Sequence, residues 1–186
     1  MEDTFNLFEK CKMNDKAMRR ALFVKSLETF REENVLFMIC CHDYVYHPED
    51  YKISALVNLF IKSGSLIEIN VSSSQRNKAL KLLSDPKIQV NFEHIASNKS
   101  PRNRPKLQMS KQGGAREGGA ANYNLMTKAI EITLPVCMKQ VPKELINSVV
   151  TGGNVYSNTP IHSRGMTKVQ ALTQYYGAGI FELGIT

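Results

Sequence analysis

The sequence predicts an all-α protein, and three observations carry that expectation. Ile53, Leu56, Val57, Phe60 and Ile61 repeat at i, i+3, i+4, i+7 and i+8, the stripe of a helix that faces a core. Thr29-Phe-Arg-Glu32 and Ser72-Ser-Ser-Gln75 each have capping-box spacing: a hydroxyl accepts from an early backbone N–H, and the acid or amide reaches back to the cap. Val35, Leu36, Phe37, Ile39, Cys40 and Tyr44 then give a helix that is apolar on more than one face and is therefore buried.

Taken in order, Phe5, Phe8 and residues 10–16 read as a short helix and a turn. Met18 to Glu28 carries Ala21, Leu22, Val24 and Leu27 at near-helical spacing, and the Thr29 box opens the next helix. His47-Pro-Glu-Asp50 is turn chemistry before the Ile53–Ile61 stripe. A loop, Lys62-Ser-Gly-Ser-Leu66, leads to Glu68-Ile-Asn-Val71. Ser72 then caps a helix with Ala79, Leu80 and Leu83 inside, which Asp85-Pro86 ends. Residues 97–119 hold six basic residues, one acid, two prolines and four glycines, the texture of a flexible basic linker. Ala120 to Leu134 fits a helix through Tyr123, Met126 and Ile130, or a short strand over Ile130–Leu134, and the two periods compete. Pro142 to Val150 suits a helix with proline in its first turn, Gly152-Gly-Asn154 a turn, and Thr167 to Gln170 the start of a helix that Gly177 stops. The expected organisation is a helical domain over 5–96, the linker over 97–119, and a C-terminal segment over 120–186 of uncertain fold.

Composition narrows the function classes. The net charge of +7 lies wholly in residues 97–186, which hold 11 basic and 4 acidic residues against 13 and 13 in residues 1–96. A protein-wide basic surface is therefore not expected. The basic tract 99–116 suits peripheral contact with an anionic membrane, while its lack of interleaved aromatics makes nucleic acid an unlikely partner. The longest apolar run, Val35 to Cys41, is far short of a bilayer span, and the acidic start has no apolar h-region, so a cytoplasmic protein is expected. Cys11, Cys40, Cys41 and Cys137 form no Cys-x-x-Cys pair. Cys40-Cys41-His42-Asp43 is no metal site either, because consecutive helical side chains point about 100° apart. No metal and no cofactor is expected, and no phosphate loop, nucleophile elbow or zinc-protease motif argues for an enzyme.

Two blocks of residues carry a resemblance. Phe23-Val-Lys-Ser26, Phe30-Arg-Glu-Glu-Asn-Val-Leu-Phe37 and Cys41-His-Asp-Tyr44 resemble, in order and spacing, the first signature of the RGS (regulator of G-protein signalling) domain. Phe60-Ile61, Glu68-Ile-Asn-Val71 and the helix start before Arg76 resemble its second. The resemblance covers about half the chain. It implies a helical bundle that binds a heterotrimeric G-protein Gα subunit and speeds its GTP hydrolysis, a GTPase activator rather than an enzyme of its own. Such a domain contributes no reacting group; it holds the mobile switch segments in the arrangement of the transition state.

By the same resemblance, Phe30, Glu33, Asn34, Asn70 and Ser72 occupy Gα-contact positions, with Asn70 nearest the GTPase's catalytic glutamine. Ser72 stands where the family usually has an acid, Arg31 where it has a serine cap, and Met38 where it often has tryptophan. Phe92-Glu-His-Ile-Ala96 resembles the start of the family's next helix. Its closing helices are not recognisable beyond Tyr123-Asn-Leu-Met-Thr-Lys128, where Ala129 replaces the family's contact acid. The alternative reading is an RGS-like scaffold without activity, whose tail meets an anionic membrane or nucleic acid. Residence at the inner face of the plasma membrane suits either.

Overall fold

The computed structural model describes residues 2–84, 113–152 and 159–185. Among them are eight α-helices and no strand: α1 (Glu2–Lys10), α2 (Lys16–Glu28), α3 (Glu32–Tyr46), α4 (Asp50–Leu56), α5 (Ser73–Leu82), α6 (Gly113–Lys139), α7 (Lys143–Gly152) and α8 (Ser163–Tyr176). The Asp85-Pro86 stop, the Phe92–Ala96 match, the Asn154 turn position and most of the basic tract lie outside the described residues. No helix among those described is long and apolar enough to cross a membrane.

The predicted stripe is inside. Ile53, Leu56, Val57, Phe60 and Ile61 are each at most 3% exposed, and burial of such a side chain stabilises by about 1.5–3 kcal/mol. The helix that carries them is not uniform. It passes from α4 into a π-helical turn over Val57–Ile61, closed by Lys62 N–H donating to the Val57 carbonyl at 2.9 Å.

Of the two capping boxes, one forms. Ser72 Oγ accepts from Gln75 N, and Gln75 Oε1 accepts from Ser72 N at 3.0 Å. The Thr29 box does not. Thr29 closes α2, its hydroxyl donating to the Ser26 carbonyl, and α3 begins at Glu32 with Arg31 at its N-cap and no side-chain cap bond. Glu32, the expected return arm, is drawn instead to Arg164 and Lys168 of α8. A pattern of four residues loses here to ion pairs formed across the fold.

The ambiguity over 120–134 resolves as helix, and α6 already begins at Gly113, inside the stretch 97–119. Pro135 sits within α6, where it removes one ladder donor. Pro142 precedes α7, and Gly177, at φ 55°, ends α8.

Apolar side chains from both sides of the basic tract share one core. Leu22, Phe37, Phe60 and Ile69 join Met126, Ile130, Leu134, Val149, Leu172 and Ile185 in a single buried cluster. The helix pairs explain how: α6 packs on α3 and α5, α7 on α2, and α8 on α4. One ion pair is enclosed by this packing. Lys52 and Asp43, 1% and 3% exposed, lie 3.0 Å apart, and Lys52 also donates to the His47 carbonyl at 2.7 Å. Enclosed charges of this kind are tolerated when each has its opposite and further hydrogen bonds.

Candidate functional site

The resemblance assigns five residues to one surface, and the structure gives each a definite setting. Phe30 lies in the corner between α2 and α3, 68% exposed, with φ at 58°. For a bulky L-residue this left-handed conformation costs roughly 1–2 kcal/mol and persists only where neighbours enforce it. Glu33, in the first turn of α3, is half-buried. Burial pushes its carboxyl above the ordinary range, with the charge of Glu32 adding to the effect. Asn34 is fully buried, its Nδ2 donating to Glu33 Oε1 at 3.5 Å while its Oδ1 has no partner among the described residues. Its side chain lies beneath the surface and bears on it through Glu33.

Asn70 and Ser72 belong to the loop before α5, and both are exposed. The loop is nevertheless held at every step. Gly64, at φ 80°, donates its N–H to Glu68 Oε2 at 2.9 Å. Ile69 N–H donates to the Phe60 carbonyl at 3.0 Å. Arg76 donates to the Ile61 and Ile69 carbonyls and pairs with Glu68 at 3.0 Å. Gln140, just past α6, donates through Nε2 to the Asn70 carbonyl at 2.6 Å. The Asn70 side chain therefore projects from a fixed backbone, which a binding residue needs if its ordering cost is to be met before the partner arrives.

The end of α6 joins the two groups. Cys137 lies close enough to both Glu33 and Arg76 to feel their charges, though burial is the main reason its thiol is pushed up to about 12. One turn on, Gln140 holds Asn70. Glu33 of α3 and Arg76 of α5 thus both lie near the last turn of α6, and Gln140 ties the loop before α5 to it. Ala129, where the resemblance implies a contact acid, is buried with no exposed surface. Arg76 and Gln140 were not singled out by sequence reasoning; Glu68 and Arg76, opposite charges flanking the Ser72 box, are the one local signal available.

A second feature occupies the other end of α3. A cleft of about 960 Å³ is lined by Phe8, Arg19, His42, Asp43, Tyr46 and Glu182, among others. Arg19 donates through Nη1 to the Glu182 carbonyl at 2.9 Å and lies 2.7 Å from His42 Nδ1 through Nη2. Guanidinium is always a donor, so Nδ1 accepts and the imidazole is neutral. Burial and the adjacent Arg19 hold His42 down to about 4.

The chain matches no protein-family model, no curated protein and no solved structure. Among the described residues the fold is an all-helical bundle. The groups at these positions are one aromatic face, a half-buried carboxyl, an exposed amide and a hydroxyl on a helix cap. Among the described residues, no three His, Cys, Asp or Glu side chains are grouped so as to hold a metal ion. The thiols of Cys40, Cys41 and Cys137 are all raised by burial and so stay protonated near neutral pH.

Proposed function

We propose that this chain binds the GTP-bound form of a Gα subunit and accelerates its GTP hydrolysis in the manner of an RGS domain. The observation that carries the reading is the setting of Asn70. It is an exposed amide on a backbone fixed by Gln140 and flanked by Arg76 contacts, and Gln140 follows one turn after Cys137, which feels the charge of Glu33. A rigid amide can hydrogen-bond a mobile switch segment in one arrangement and not in others. Stabilising only the transition-state arrangement accelerates the chemistry without any reacting group from the activator. In this reading Ser72 adds a hydroxyl at the α5 cap, and Asn34 holds Glu33 from below. The protein would work in the cytoplasm, where its basic tract 99–116 can meet anionic headgroups at the inner face of the plasma membrane.

The test is binding and single-turnover hydrolysis with a panel of Gα subunits. Binding should be strong to Gα with GDP and aluminium fluoride, which imitates the phosphoryl group in flight, and weak to Gα with GDP alone. Asn70→Ala should weaken the fluoride complex by about 1–3 kcal/mol, the loss of one interfacial hydrogen-bonding side chain, with the unfolding midpoint unchanged. Binding indifferent to both nucleotide state and Asn70 would instead establish the scaffold reading.

A further inference from the structure

Resting on that reading, the geometry points to Arg164 as a positioning residue that presets the partner-facing corner from the opposite end of the sequence. The corner needs such help. Phe30 holds a left-handed backbone that its own chemistry disfavours, α3 starts without a side-chain cap, and Phe30 is largely exposed. The local bonds converge on the Ser26 carbonyl, which accepts from Thr29 N–H, from the Thr29 hydroxyl and, at 3.0 Å, from Arg31 N–H, while Asn34 N–H donates to the Arg31 carbonyl.

Arg164, in the first turn of α8, supplies the rest. Its Nη2 donates to the Leu27 carbonyl before the corner, and its Nε lies 2.7 Å from Glu32 Oε1 after it. Between those anchors the guanidinium carbon sits 4.2 Å from the centre of the Phe30 ring. One planar side chain thus bridges both flanks of the left-handed residue and covers the ring between them. Only arginine offers donors in a fork together with a flat face that stacks on an aromatic.

Two neighbours set the surroundings of Arg164, Lys168 by fixing Glu32 and Gly165 by its lack of a side chain. Lys168, one turn along α8, reaches the same Glu32 oxygen at 2.9 Å. Burial pushes the Glu32 carboxyl up, but its bonds from Lys168 and Arg164 outweigh this and leave it below the ordinary range. Gly165 sets the approach: a Cβ there would lie 2.8 Å from Leu27 Cδ1 and from Ile161 Cγ2, so any larger residue requires those side chains to shift. α8 therefore acts on the proposed contact surface without itself being assigned to it.

The experiment uses the full chain with Arg164→Ala and Arg164→Lys, and Phe30→Ala alone and combined with Arg164→Ala. Amide exchange is read at Arg31 and Asn34, with Gln75 in the α5 cap as internal control. Arg164→Ala should speed exchange at the corner about tenfold and leave Gln75 unchanged, with Arg164→Lys recovering only part of the protection. In single-turnover hydrolysis, under conditions where every variant is folded, Arg164→Ala should weaken Gα engagement about tenfold and add little once Phe30 is already alanine. Unchanged exchange at the corner overturns the inference. So does an Arg164 effect that is fully additive with Phe30→Ala. A wild-type protein that does not affect Gα overturns the proposed function instead, and the exchange experiment still decides whether α8 sets the corner.

Discussion

Acid should weaken this fold through His42. The imidazole is 8% exposed, packed edge-on by Phe8 with ring centres 5.0 Å apart, and it accepts from Arg19 at 2.7 Å. Protonation would place a second cation against the guanidinium on a side chain that is itself largely buried. From its ordinary 6.5, burial first and then Arg19 hold the group down to about 4. In the unfolded chain His42 takes its proton below pH 6.5, whereas in the fold it does so only below about 4. Between those values the unfolded state binds more protons, so stability falls as pH falls through that window. The linkage gives a loss of about 2 kcal/mol between about pH 7 and about pH 4.5 from this group alone. Carboxylates titrate in the same range, so the measurement is a difference. His42→Asn puts an amide oxygen near the place of Nδ1 and has no proton to gain. Urea unfolding of both proteins at the two pH values should show the wild type losing about 2 kcal/mol more than the variant. Parallel losses would mean that His42 is protonated as easily folded as unfolded, and the contact with Arg19 would have to be abandoned.

Two smaller perturbations test the frame of the site. Ser72→Ala removes the hydroxyl that accepts from Gln75 N and should cost about 1 kcal/mol in urea unfolding. Gly165→Ala forces a methyl to within 2.8 Å of Leu27 and Ile161, so overpacking should outweigh the better helix propensity by about 1–2 kcal/mol. Gly152→Ala, whose methyl would meet nothing within 4 Å, is the control and should leave the midpoint unchanged or slightly raised.

Local signals were legible in the sequence where local forces decide. The Ile53 to Ile61 stripe announces a buried helix because the period of side chains around a helix is a property of that segment alone. The Ser72 box forms because both of its partners are within one turn. Thr29 has the same pattern and fails, since Glu32 finds two cations more than 130 residues away. Nothing near Glu32 in the chain foretells them. The site shows the same division. Exposure of Asn70 follows from its place in a polar loop, but its rigidity depends on Gln140, 70 residues distant. The burial of Asn34 beneath Glu33 depends on tertiary packing that no window of sequence contains. The shared core is the largest departure from the sequence pattern. A change of composition at residue 97 marks where the chain's charge changes, which is a different matter from where its packing ends.

The pairing of α7 with α2 and of α8 with α4 also bears on how the protein is made. Synthesis runs from the N-terminus at about 5–20 residues per second. The apolar faces of α2 and α4 leave the ribosome roughly a hundred residues before the helices that cover them. For several seconds the nascent chain must carry Leu22, Leu27, Ile53 and Leu56 without their final neighbours. Such a chain completes its core only after α7 and α8 have emerged. Shortened forms ending before α7 should accumulate as aggregates, whatever partner the finished surface serves.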